Sequence, residues 1–522
     1  MTKFYLILSF LALQISSNAQ EVADVSLQFD VNSYKDEAGN SIGKKIATTS
    51  LISKKEGHLV YSQKDNNSNI VWQLTVQVAG AKAIVPYFDE LVIKDGAKIR
   101  AYSPITNKST QFFYQNENSI SKSFALPLIE GEKIIIEATF PNKEAYKKFK
   151  LSISEVGALH SLQGFGAAPA CYVNVNCSEG NPWQDQVRSV AKYMTVEGTD
   201  IGYCTGSLIN NTDQDCKNYF LSDQHCGIGA TTAEFGQFVF YFNYESNSCA
   251  DPANDSGLDQ ETVVGCSKIA SSGTSTSLPP DGSDFLLMEL NAIPTSYNVY
   301  YAGWNRADMP QISGNGTIIQ HPEGDLKKIS FWSTVEVSFT TQSHLEVLCV
   351  ASANGEGLVE PKSSGSPIFD GNKRIVGNVT AGSTGCVSSH PAGTAFVVGG
   401  RFYHHWDLNG ATSSLQLKPW LDPTNSGVMN LDGKQQCGSV GINEAYLNTT
   451  DILVFPNPTS QFITIKSDQM VEKVNLYSVD GKLILTTTQT NHIDISKLSL
   501  GVIIVEVYLK NGDIAHTKVY KN

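Results

Sequence analysis

An all-β chain of about three domains is what the sequence predicts, and three observations carry that prediction. Short apolar stretches such as Phe238-Val239-Phe240-Tyr241-Phe242 recur between Gly, Asn and Ser turns, with few helical runs among them. The 522 residues exceed the size at which a single hydrophobic core stops growing. All 10 cysteines fall between Cys171 and Cys437, so a cysteine-bearing middle is flanked by cysteine-free ends. A net charge of −13 leaves no basic face for nucleic acid, and no nucleic-acid partner is expected.

Residues 1–19 have the charged start (Lys3), the short apolar centre (5–13) and the small-residue end (Ser16-Ser17-Asn18-Ala19) of a signal peptide, with cleavage expected after Ala19. That run is too short to span a bilayer. No later stretch approaches about 20 apolar residues, so no transmembrane segment is expected. In an exported chain, an even number of cysteines confined to one segment reads as a disulfide framework. The spacings contain no paired short-range ligand sets, so neither a metal nor a cofactor is assigned.

From 20 to 165 the chain is Lys/Glu-rich and alternates, as in Glu90-Leu91-Val92-Ile93-Lys94 and Lys133-Ile134-Ile135-Ile136-Glu137, with turns at Asp95-Gly96 and Glu130-Gly131. This predicts a β-sandwich, read as a propeptide that assists folding or covers an active site, the alternative being an independent binding domain. Residues 156–170, ending Gly164-Phe165-Gly166-Ala167-Ala168-Pro169-Ala170, read as a small-residue linker open to processing. No Lys or Arg lies between Lys150 and Arg188, so a protease cutting only after basic residues could not cut itself there.

The middle domain, 166–440, has many short strands, which suggests barrels or a sandwich. Ser413-Ser414-Leu415-Gln416-Leu417-Lys418-Pro419-Trp420-Leu421 reads as a short closing helix limited by Pro419. Within this domain Glu360-Pro361-Lys362-Ser363-Ser364-Gly365-Ser366-Pro367 is a tight turn able to project a serine. A serine hydroxyl attacks a carbonyl only when an imidazole takes its proton and backbone N–H groups face the oxyanion. His225 follows the apolar run Tyr219-Phe220-Leu221 beside Cys226, and Asp284 stands at the mouth of Phe285-Leu286-Leu287-Met288. The order His, Asp, Ser is one in which such triads recur. From 450 to 522 a compact β pattern returns, with turn clusters at Asn457-Pro458-Thr459, Val479-Asp480-Gly481-Lys482 and Lys510-Asn511-Gly512-Asp513.

Several collinear stretches resemble the secreted bacterial lysyl endopeptidases, a branch of the chymotrypsin-like serine proteases. They are Cys204-Thr205-Gly206-Ser207-Leu208, Tyr219-Phe220-Leu221 with His225-Cys226-Gly227, Ser283-Asp284-Phe285, Ala302-Gly303-Trp304, His321-Pro322, Glu360-Pro361 with the Ser364 turn, and Trp420-Leu421-Asp422-Pro423. The resemblance implies a double β-barrel with His225, Asp284 and Ser364 as the triad and the backbone N–H groups of Lys362 and Ser364 facing the oxyanion. It also implies disulfides Cys171–Cys386, Cys177–Cys249 and Cys204–Cys226. Cys216, Cys266, Cys349 and Cys437 fall outside the family pattern; of their three possible pairings, Cys216–Cys437 with Cys266–Cys349 is preferred.

Three positions depart from that family. Val397 faces the place of the Asp that holds a substrate lysine, and an unpaired buried ammonium there would cost several kcal/mol. Glu360 could supply the carboxylate instead. Thr380 stands where the family has an activity-enhancing His, and Lys362 where a Gly precedes the serine turn. The tail resembles the C-terminal sorting domain of the type IX secretion pathway through Val454-Phe455-Pro456-Asn457-Pro458, Leu476-Tyr477-Ser478-Val479-Asp480-Gly481-Lys482 and Thr517-Lys518-Val519.

Other polar residues read as structural. His404-His405 on a strand would point to opposite faces, giving a pocket wall and a surface residue. His321 and His390 read as turn or core residues, and Asp251, Asp255 and Asp259 as a solvated loop without calcium-ligand spacing. The expectation is a secreted or surface-attached monomeric serine endopeptidase, acting on proteins or peptides after Lys or Arg and exported by the type IX machinery. Its rivals are a serine endopeptidase preferring small or apolar residues, and a non-catalytic surface binding protein on a protease scaffold.

Overall fold

The computed structural model describes residues 24–30, 41–60, 70–117, 121–161, 164–258, 260–273, 282–308, 314–337, 342–437, 453–455, 459–467, 470–478, 482–499, 501–510 and 514–521. The expected signal peptide and Asp259 lie outside them. The chain forms two units, one running to Gln436 and one from Cys437 onward.

The N-terminal part of the first unit is a two-sheet sandwich. Ile70–Ala79 alternates so that Trp72, Leu74, Val76 and Val78 point inward, and it pairs antiparallel with Lys133–Phe140, whose Ile134, Ile136, Ala138 and Phe140 do the same. Lys98–Tyr102, Val25–Gln28 and His58–Val60 complete this five-stranded sheet. The second sheet is built on Ser41–Ser53, Lys150–Leu159 and Ala83–Phe88. Both sheets feed one core.

That second sheet does not stop at the domain boundary. The other edge of Ser41–Ser53 pairs antiparallel with Asp200–Leu208, matching Lys44 with Asp200 and Gly43 with Ile201. A Cβ on Gly43 would lie 2.5 Å from the carbonyl oxygen of Ala158, so the close approach demands glycine. This corrects the expected linker over 156–170. Val156, Gly157, Ala158 and Leu159 lie inside a paired strand, and the connection begins at His160. Gly157 is small because a Cβ there would meet Tyr87 at 2.8 Å and Ile201 at 2.9 Å, not because the backbone must flex.

Two closed six-stranded antiparallel barrels follow. In the first, Val190–Glu197, Asp200–Leu208, Tyr219–Ser222 and Leu286–Leu290 pair in sequence. A bent strand closes the barrel: Cys266–Ser271 pairs with Leu286–Leu290, and past Gly265 (φ 85°) Thr262–Val264 pairs with Val239–Tyr241, which returns to Val190–Glu197. The second runs Gly316–Gln320, Lys328–Val337, His344–Val350, Phe396–Arg401, Arg374–Gly382 and Pro367–Asp370, with the last paired back to the first. Aromatic rings fill the first, where Tyr193 stacks on Phe240 and meets Phe220 edge-on. Aliphatic residues and Trp332 fill the second. A further core draws on both, including Leu221, Phe285, Trp304, Ile319 and Phe369.

The disulfides Cys171–Cys386, Cys177–Cys249 and Cys204–Cys226 are formed. Cys216 and Cys437 are disulfide-bonded too. The expected Cys266–Cys349 bridge is not: both are free thiols buried in the cores of different barrels, where each acts as a small hydrophobe. Burial pushes both thiols up, Cys349 to about 12, so neither is a ready nucleophile. His404 and His405 lie on the helix Phe402–Asp407 rather than on a strand. The expected closing helix is split into a 3₁₀ turn, Ser413–Leu415, and a one-turn α-helix, Lys418–Leu421, with Pro419 in its first turn. Asp251 is solvent-exposed as expected of a solvated loop, yet accepts from the buried Lys328 Nζ (2.6 Å), while Asp255 is half-buried and accepts from Lys108 Nζ (3.1 Å).

The second unit is a small sandwich. Leu453–Phe455, Phe462–Lys466 and Ile493–Asp494 form one sheet, and Leu483–Thr487, Val471–Tyr477, Gly501–Leu509 and Ile514–Lys521 the other. The alternation of Gly501–Leu509 sends Ile503, Val505, Val507 and Leu509 into its core.

Candidate active site

Strand register brings the first two candidate residues together. Ser222 pairs with Leu286, so the ends of Tyr219–Ser222 and Leu286–Leu290 stand side by side. The first strand runs into the turn Gln224–Cys226, which carries His225, and Asp284 precedes the second. Asp284 holds φ 57°, a left-handed conformation that Asp tolerates better than most residues, and is fully buried. Its Oδ2 is 2.9 Å from His225 Nδ1, and its Oδ1 accepts the His225 backbone N–H at 3.2 Å. An acceptor-only carboxylate on Nδ1 fixes the proton on that nitrogen and turns Nε2 outward as a base. The Cys204–Cys226 bridge pins the turn to the neighbouring strand.

Ser364 belongs to the other barrel, on the turn entering Pro367–Asp370. Ser363 N–H donates to Glu360 O and Ser366 N–H to Ser363 O, winding the chain tightly around it. Gly365 has φ 83°, and a Cβ there would collide with Ser222 and with Thr205 O, so only glycine lets this turn approach the first barrel. Thr205 ties the two together, its N–H donating to Ser364 O (2.9 Å) and its Oγ1 to Lys362 O (3.0 Å). Ser364 and His225 line one cleft with Lys362, Thr380, Glu197 and, from the N-terminal sandwich, Ser41.

Lys362 takes the conformation expected of a glycine, φ 75°. Its ammonium is buried and lies 2.6 Å from Glu323 Oε2, while Glu323 N–H donates to Pro361 O. This clamp holds a backbone shape that costs a non-glycine residue about 1–2 kcal/mol. The carboxylate of Glu360 accepts on one oxygen from Tyr172 Oη (3.1 Å) and Gly385 N–H (2.9 Å). Val397 is fully buried among Ile318, Trp332 and Val347. His321 is buried against Tyr244, with Nδ1 2.8 Å from Asp325 O, and His390 is half-buried, with Nε2 2.9 Å from Thr384 O.

The electrostatics centre on His225. Burial pulls its pKa down, but the Asp284 carboxylate, with Asp223 and Glu197 behind it, overrides this and lifts it to about 9. Three residues at this site were not singled out as participants from the sequence. Asp223 is fully buried, with Oδ2 3.8 Å from His225 Nδ1. Asn378 bonds it through Nδ2, and His405, buried beneath, bonds Asn378 through Nε2. The acidic residue two positions before His225 was a visible signal for the first. Nothing in the sequence marked Asn378, and His405 was read only as one of a pair giving a pocket wall and a surface residue.

A histidine–carboxylate pair and a serine followed by glycine thus share one cleft between two six-stranded barrels. Residues 165–395 match the family model of the lysyl endopeptidase C-terminal domain, and 453–521 that of the secretion system C-terminal sorting domain. The middle of this chain is lysyl endopeptidase-like. A curated lysyl endopeptidase of Pseudomonas aeruginosa is 29% identical over 286 residues, which are 51% of this chain and 59% of that protein. The chain thus spans less than two thirds of that relative's length. Among solved structures, a thermostable serine protease (AL20) from an extremophilic microorganism covers 42% of this chain and 92% of its own at 12% identity and TM-score 0.30. A protease from M. tuberculosis covers 46% and 89% at 13% identity and TM-score 0.26. The sorting domain directs a chain to secretion or surface attachment, and the disulfides of the lysyl endopeptidase-like segment suit that destination. The family match includes His225, Asp284, Glu360, Ser364 and Thr380 and ends two residues before Val397.

Proposed function

We propose that the chain is a secreted serine endopeptidase that hydrolyses peptide bonds through Ser364, His225 and Asp284. The observation that carries this reading is the 2.9 Å contact between His225 Nδ1 and a fully buried Asp284, in the wall of the cleft that Ser364 also lines. Ser364 Oγ attacks the substrate carbonyl as His225 Nε2 takes its proton, and the imidazolium returns that proton to the leaving amine. Asp284 keeps the tautomer and steadies the charged imidazole. The backbone N–H groups of Lys362 and Ser364 face the developing oxyanion, each worth on the order of 3 kcal/mol. Water then repeats the sequence on the acyl-enzyme. A fluorophosphonate probe should label the protein and fail to label Ser364→Ala; equal labelling of both would move the chain to the binding-protein reading.

Residue preference rests on Glu360 and Val397. A preference for Lys or Arg is supported by the lysyl endopeptidase likeness and by the Glu360 carboxylate beside Tyr172. A preference for small or apolar residues is supported by Val397, which lies in the barrel core and offers no counter-ion. New termini read from a denatured proteome, with Ser364→Ala as control, decide between them. If cuts follow Lys or Arg, Glu360→Gln should lower kcat/KM for those sites by at least about tenfold.

The N-terminal sandwich is proposed to be a propeptide that helps the first barrel fold or covers the cleft. It supplies the strand Ser41–Ser53 to that barrel's sheet and places Ser41 in the cleft wall.

A further inference from the structure

Asp223 has no part in the triad, yet it touches both halves of the site. Its Oδ2 accepts the Gly365 N–H, the peptide just after Ser364, at 2.7 Å, and the same oxygen lies 3.8 Å from His225 Nδ1. Its Oδ1 accepts from Asn378 Nδ2, whose other hydrogen goes to Asp284 O at 2.9 Å. Asn378 is oriented in turn by His405 Nε2–H on its Oδ1, and His405 Nδ1 accepts from Ser283 Oγ at 2.7 Å, so its tautomer is fixed as well. One carboxylate therefore joins the nucleophile turn of the second barrel, the base-bearing turn of the first, and the segment holding Asp284. A buried carboxylate does not sit beside another without consequence: like charges in a dry site raise each other's cost of ionisation and stabilise a cation placed between them.

We propose that Asp223 is a positioning residue for the reaction, which locks the Ser364 turn to the His225 turn and adds a second carboxylate to the Nδ1 side of the imidazole. This rests on the reading of Ser364, His225 and Asp284 as the triad. The ionisable groups facing it are Asp284 and His225, with Glu197 toward the imidazole, Tyr193 behind Ser222, and His405 behind Asn378. Burial and then the Asp284 charge hold the Asp223 carboxyl well above the usual carboxylate range, against the downward pull of His225 and the two hydrogen bonds. Its charge thus forms most readily when the imidazole becomes positive, which is the state that follows proton transfer from Ser364.

The test is Asp223→Asn, which keeps the shape and loses the charge, alongside Asp223→Ala, which also loses the Gly365 tether. Asp223→Asn should shift the acid limb of the kcat/KM profile to lower pH, because one of the carboxylates raising the His225 pKa is gone. Asp223→Ala should lower kcat by about 100-fold at little change in KM, the loss expected when a catalytic group is misplaced by about 1 Å. A folded Asp223→Asn with its acid limb and kcat/KM at wild-type values would overturn the proposal, since a merely structural role moves neither limb. Should the variants not fold, the Ser364→Ala protein, intact at position 223, is titrated by NMR of imidazole nitrogens and Asp side-chain carboxyls. Two carboxyl signals moving at the imidazole midpoint support the proposal, and one alone overturns it. If Ser364→Ala retains full cleavage, the triad reading fails first; if it is inactive while Asp223→Asn behaves as wild type, only the role of Asp223 is lost.

Discussion

At the scale of single residues, the site is governed by how few groups can stand near one imidazole. In the proposed mechanism His225 must be neutral to accept a proton from Ser364, and its pKa is raised to about 9, so activity should increase with pH through an acid limb well above the ordinary histidine value. A kcat/KM profile between pH 5 and 10 checks this, and a limb near 6.5 would contradict it. Lys362→Gly removes the left-handed strain but also the ion pair to Glu323; if the clamp is what holds the oxyanion turn, Glu323→Gln should reduce kcat by about tenfold while Lys362→Gly stays within about threefold of wild type. The positions of His225, Asp284 and the Ser364 turn were legible because each flanks a recognisable apolar run or glycine turn. Asp223 was visible only as an acidic residue at a strand end, which reads equally well as a surface cap until the partner barrel arrives and buries it. Val397 was legible only as a departure, and its place in the core explains why an apolar residue is comfortable there.

At the scale of elements, the candidate active site depends on short turns whose geometry is fixed from outside. The His225 turn has only three residues and owes its position to Cys204–Cys226 and to Asp284. Replacing both cysteines with serine should lower unfolding free energy by about 3 kcal/mol, as expected for a loop of this length, and reduce kcat more than KM. Denaturant melts paired with steady-state kinetics measure the two effects. The strands themselves were readable from alternation, but their closure into two barrels was not. Closure depends on Gly265 bending one strand between two partners and on Pro367–Asp370 returning to Gly316–Gln320, and neither pairing leaves a local mark in sequence. Cys266 and Cys349 show the same limit. An even count suggested a bridge, yet each side chain points into a separate core, where a thiol packs as an apolar group.

At the scale of the whole molecule, the two cysteine-free flanks serve different ends. Deleting the sorting domain, residues 453–521, should leave the protein inside the cell envelope rather than in the medium or on the surface, as fractionation would show. The N-terminal sandwich was legible as a β domain, but its fusion to the first barrel was not, because the small residues at its end looked like a linker and are in fact small to admit neighbouring strands. Gly43→Val should therefore reduce the yield of folded secreted protein, since the added atoms collide with Ala158 O and Leu159 and overpacking of this kind costs about 1–3 kcal/mol. The shared sheet also changes what a cut in the connection at 160–170 could accomplish. Severing one peptide bond there leaves the pairing of Ser41–Ser53 with Asp200–Leu208 and the common core untouched, so the product is a two-chain complex rather than a liberated enzyme. For the proposed protease, the delay between cleavage and full access to the cleft is then set by how fast the severed sandwich dissociates or is itself digested, which makes the junction a clock.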